Sequence, residues 1–88
     1  MSLISNKEIK RLRDYFDLNQ VEYKLRYWEE GRFNIQVDLE YIYLSFLTSE
    51  GSYGGYEGLI EFYNFRDEST GYLTADEAIE IYERAVAE

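Results

Sequence analysis

From Val21 to Val37 apolar and polar residues alternate with a period of two on both sides of Glu29-Glu30-Gly31. Val21, Tyr23, Leu25 and Tyr27 are set against Glu22, Lys24, Arg26 and Trp28; beyond the turn, Phe33, Ile35 and Val37 are set against Asn34, Gln36 and Asp38. Successive strand side chains point to opposite faces, so the pattern predicts a hairpin with one apolar face and Trp28 on the outward one. A lone hairpin is marginal in water, and the rest of the chain must cover that face.

Two helices are predicted to do so. Ser5-Asn6-Lys7-Glu8 fits a capping box, in which a serine oxygen accepts an orphan helical N–H and a glutamate reaches back to the cap. Ile9, Leu12 and Phe16 then recur at helical spacing, with Tyr15 beside them and an end expected near residues 17–19. Thr74-Ala75-Asp76-Glu77 is a second capping box, opening a helix to about Ala87 with Ala78, Tyr82 and Ala85 on one stripe and Ile79 and Val86 beside it. Residues 40–47 are apolar on both faces, which reads as a central strand covered on both sides, with a helix as the other reading. Residues 59–65 resume a β-rich aromatic run. The expected fold is α+β: an N-terminal helix, a four-stranded antiparallel β meander and a C-terminal helix, both helices on one face, with residues 1–88 as a single domain.

Composition narrows the chemistry. The chain of 88 residues has no histidine, cysteine or proline. It lacks the side chain that titrates near neutrality, the thiolate nucleophile and the soft metal ligand, so neither an enzyme nor a cofactor is expected. Paired carboxylates can hydrolyse glycosides, but that work needs a cleft that raises one carboxyl pKa, and a chain this short has little room for one. Eighteen acidic residues face nine basic ones, a net charge of −9. The imbalance is segregated: residues 1–33 hold seven basic and six acidic side chains, whereas residues 34–88 hold twelve acidic ones against Arg66 and Arg84. Such a field repels nucleic acid and anionic membranes and attracts basic protein surfaces, although solubility alone accounts for many acidic proteins. The longest apolar stretch, within residues 41–47, is far shorter than a membrane span and no signal-peptide pattern is seen at the start, so the expected location is cytoplasmic, or the host cytoplasm for a phage-encoded chain.

Four stretches are candidates for function. On the C-terminal helix Asp76, Glu80 and Glu83 fall at i, i+4 and i+7, a carboxylate stripe that could imitate successive phosphates, while an acidic helix face is more often merely solvated. Residues 49–58 hold four of the six glycines together with Glu50, Tyr53, Tyr56 and Glu57. Tyrosine supplies broad amphipathic contact and Ser and Gly let the backbone adapt, so this reads either as a contact loop or as a mobile hairpin connection. Trp28 is a candidate interface anchor, with covering the second sheet face or the open end of the core as its other uses.

Residues 66–77 resemble an EF-hand calcium loop. Gly71 takes the sixth place, Leu73 the eighth, Thr74 the ninth and Glu77 the twelfth, with Glu68 and Thr70 at the third and fifth. Arg66 stands where that family has aspartate, and Thr74 and Glu77 are equally explained as cap residues. In size, charge and missing catalytic groups the chain also resembles small phage proteins that block host defence nucleases, such as anti-CRISPR and antirestriction proteins, and immunity proteins that neutralise toxin nucleases. That resemblance implies an inhibitor whose partner is a basic nucleic-acid-binding protein, with no direct contact to nucleic acid or membrane. A structural module that forms a homodimer or larger homo-oligomer through an aromatic sheet face is the alternative from a different class, and degenerate calcium binding is the third.

Overall fold

The computed structural model describes residues 6–49, 52, 57–64 and 69–87. In chain order they form α1 (Lys7–Leu18), β1 (Lys24–Glu29), β2 (Arg32–Asp38), β3 (Tyr43–Ser49), β4 (Ile60–Asn64), β5 (Ser69–Leu73) and α2 (Ala75–Ala87). The strands lie side by side in sequence order, each antiparallel to the next. The expected helix, meander and helix are present, and the sheet carries a fifth strand. β5 escapes a period-two reading because only Leu73 of its five residues is buried.

One face of the sheet is the core. Ile35 sits opposite Phe46, Phe46 opposite Phe62, and Val37 opposite Leu44. These side chains join Ile9, Leu12 and Phe16 of α1 and Ala78 of α2 in one cluster, which places both helices on that face. Burying a side chain of this size contributes roughly 1.5–3 kcal/mol. Among the described residues no helix lies over the other face. In the middle strand β3, Leu44, Phe46 and Thr48 are buried while Tyr43, Ser45, Leu47 and Ser49 are only half-buried, so the expected cover on both sides is corrected to cover on one.

The register of β1 inverts the expected roles of two aromatics. Leu25 pairs with Ile35, but Tyr27 pairs with Asn34, so Arg26 is an extra residue that shifts the alternation by one position. Tyr27 therefore lies on the open face. Trp28, opposite Phe33, turns to the helix side, where its ring meets Phe33 edge-on at 5.0 Å and the Arg13 guanidinium lies 4.8 Å over it. The outward placement of Trp28 is thus corrected: it closes the end of the core. The β4–β5 pairing also slips, between Ile60 and Phe62, where Tyr72 takes a left-handed φ of 60°.

The helix ends follow from local hydrogen bonding. α1 closes with Gln20 N–H donating to Asp17 O and Val21 N–H to Phe16 O, the paired bonds of a Schellman motif, which place Gln20 at φ 56°. At α2 the second capping box forms in both directions: Thr74 N–H donates to Glu77 Oε1 at 2.9 Å and Glu77 N–H to Thr74 Oγ1 at 3.3 Å. Ser5 lies outside the described residues, α1 starts from Asn6 without a side-chain cap bond, and Glu8 Oε1 accepts the N–H of Ala75 at 2.8 Å. Glu8 thereby caps the other helix, and α1 and α2 run parallel side by side, linked again by Arg11 to Asp76 and Tyr15 to Glu83. Among the described residues no helix is long and apolar enough to cross a membrane.

Candidate functional site

An antiparallel meander turns alternately at its two ends. The β1–β2 turn, the β3–β4 connection and the β5–α2 junction therefore share one end of the sheet. In the first of these, Glu29 pairs with Arg32 across a two-residue loop, and Gly31 takes φ 80°, a left-handed value that glycine alone adopts without a Cβ penalty. The turn projects Glu29 and Glu30, both exposed. In the second, the Ser52 hydroxyl accepts Ser49 N–H at 2.9 Å and donates to Ser49 O at 3.0 Å, while Thr48 Oγ1 donates to Leu59 O at 3.1 Å. Glu57 is exposed between these ties. The third junction presents Asp76 and Glu77 on the first turn of α2.

Of the candidate contact residues, this end gathers Trp28, Glu57 and Asp76. Glu80 and Glu83 run away from it along α2. Glu50, Tyr53 and Tyr56 lie outside the described residues. Glu29 and Glu30, which the pattern had marked only as turn residues, belong to the group, and their signal was visible as two adjacent carboxylates at a hairpin tip.

The two sets of carboxylates differ in how far the molecule uses them itself. In the helix stripe Asp76 lies 3.4 Å from the Arg11 guanidinium, Glu80 3.3 Å from Arg84, and Glu83 accepts the Tyr15 hydroxyl at 2.9 Å. Burial first, and then the bond to the Glu83 carboxylate, raise the Tyr15 pKa above the ordinary phenol value. At the turn end, by contrast, Glu29, Glu30 and Glu57 make no ion pair within 4 Å among the described residues, although Arg32 stands opposite Glu29 in the strand register.

The open face carries a separate polar network. Lys24 Nζ meets Asp38 Oδ2 at 2.8 Å, Gln36 Nε2 donates to Asp38 Oδ1 at 2.7 Å, and Arg26 donates to Gln36 Oε1 at 3.2 Å. The bonds from Lys24 and Gln36 hold the Asp38 carboxyl below its ordinary range. Asn34, 7% exposed, donates through Nδ2 to Ser45 Oγ and Phe46 O, both at 2.9 Å. On the other side, Arg13 donates to the Tyr23 hydroxyl at 3.2 Å, a bond that raises the guanidinium pKa further.

Residues 66–68 of the EF-hand-like stretch lie outside the described residues. The remainder is not laid out as a calcium loop. Residues 69–73 are strand β5, Gly71 is not the left-handed residue there, and Glu77 Oε1 is committed to the helix cap. Among the described residues no three Asp, Glu, His or Cys side chains are gathered as metal ligands. The arrangement defines a small α+β domain with a carboxylate-rich end and one uncovered sheet face. No protein-family model, curated protein or solved structure matches the chain.

Proposed function

We propose that this protein is a small binding inhibitor whose carboxylate-rich end docks on a basic, nucleic-acid-binding surface of another protein, a nuclease being the partner class such a surface implies. The observation that carries this reading is the exposure of Glu29, Glu30 and Glu57 without an ion pair within 4 Å among the described residues, at the same end as Asp76 and Glu77. Gathering like charges at one end costs stability, and a basic partner converts that cost into steering and affinity. The contact moves from the α2 stripe to this end, because the stripe is partly spent on Arg11, Tyr15 and Arg84. Trp28 supports the end from behind by closing the core beneath the turn.

The test compares the natural chain with Glu29→Lys/Glu30→Lys/Glu57→Lys as immobilised baits on host lysates, eluting with double-stranded DNA. The reading expects a nucleic-acid-binding protein that DNA displaces from the natural chain, with affinity for the purified partner reduced about tenfold or more in the variant. The free variant should stay folded with a melting temperature little changed, since the repulsion removed among the carboxylates is offset by the lysine that Glu29→Lys sets opposite Arg32. Equal affinity of the two baits for that partner would sink the assignment of this end.

A further inference from the structure

We infer that the open face of the sheet is a self-complementary surface on which a second copy of this chain docks, face to face, about a twofold axis running along β3. This does not rest on the anionic reading above.

Both sheet edges are unsuited to recruiting another strand. β1 is broken by the Arg26 bulge and flanked by Lys24, and β5 by the slip at Tyr72. Bulges and charges at an edge oppose strand addition, which leaves the face as the surface for association. Along the middle of that face run Tyr43 and Leu47 on β3, with the Tyr63 ring of β4 6.4 Å from Tyr43. The charges flanking this centre are asymmetric. On the β1–β2 side the Arg26 guanidinium is bonded to the neutral Gln36 and reaches Asp38 only through its longer-range field, and Arg32 lies 3.5 Å over the Tyr27 ring, across the strand pair from Glu29; neither makes an ion pair within 4 Å among the described residues. On the β4 side Glu61 makes no ion pair within 4 Å among the described residues.

The register makes this asymmetry complementary to itself. A twofold axis along the central strand lays β2 of one copy over β4 of the other and keeps each residue at its own height on the strands. Glu61 pairs with Leu47, Leu47 with Asn34, and Asn34 with Tyr27, so all four share one height. Arg32 lies two residues to one side of Asn34 along β2, and Arg26 precedes Tyr27 on the other. Glu61 of one copy therefore meets the gap between Arg26 and Arg32 of its mate, and does so twice per dimer, while Leu47 meets Leu47 near the axis. The charges that lack a close ion pair among the described residues are those that the rotation brings together.

Sedimentation equilibrium over a range of concentrations tests the inference on the full chain. The natural protein should show twice the monomer mass. Glu61→Arg should weaken dimerisation about tenfold or more, as should Arg26→Glu/Arg32→Glu, and combining all three substitutions should restore it. Leu47→Arg should give a monomer, with circular dichroism confirming that the fold is kept. A monomer at every concentration, a dimer indifferent to Leu47→Arg, or failure of the triple variant to recover would each overturn the inference.

Discussion

The two faces of the sheet are built from the same five strands by opposite means. On the covered face Phe46 is flanked by Ile35 and Phe62 and capped by Phe16 of α1 at 6.1 Å between ring centroids, so cohesion comes from apolar area taken out of water. On the open face cohesion comes from directional bonds: the Lys24–Asp38–Gln36–Arg26 chain, the Asn34 amide and the Arg32–Tyr27 stack. An apolar face must be complete to hold, whereas a polar face can stay wet and remain available. The same backbone thus commits one side to apolar burial and holds the other by polar bonds.

Substitutions should separate the two faces by size of effect. Phe46→Ala removes a fully buried ring at the centre of the core and should cost about 3–5 kcal/mol, a large share of the stability of so small a domain; chemical denaturation should show a collapsed midpoint or no folded baseline. Asn34→Ala withdraws the donor to Ser45 Oγ and Phe46 O and should cost about 1–3 kcal/mol with the core intact. A loss as large as that of Phe46→Ala would mean that the open face is as tightly packed as the covered one. The smallest effect is electrostatic. Because the Asp38 pKa is lowered on folding, its contribution is present above the ordinary carboxylate value of 3.8 and is lost as pH falls through the lowered one. An NMR titration of the Asp38 carboxyl should therefore have its midpoint below that of a model peptide, and Lys24→Met should move the midpoint back up.

Much of the covered face was legible in the sequence, because periodicity reports burial directly. Ile9, Leu12 and Phe16, the apolar positions of β2 and the Thr74–Glu77 cap all stand where their spacing put them. The features that escaped depend on what lies across from a residue. Arg26 bulges because of how β1 registers on β2, and nothing in the local alternation marks it, so Tyr27 and Trp28 exchanged faces. β5 is an edge strand with one buried side chain and therefore no periodic signature. Local spacing reads Glu8 as a cap for its own helix, and no such spacing marks that its Oε1 accepts an N–H from a segment 67 positions away. The candidate site was half legible for the same reason: the carboxylates could be counted, but which turns share an end of the sheet is a property of topology.

The Glu8–Ala75 tie also has a consequence in time. α1 is made before α2, with five strands between them, yet the two lie side by side and share that bond. On a ribosome, where synthesis runs at about 5–20 residues per second, the apolar stripe of α1 waits for seconds without its neighbour while the meander assembles beneath it. The covered face is sealed by α2, the last of these elements in chain order, so a chain truncated before α2 would expose the stripe of the first helix on that side.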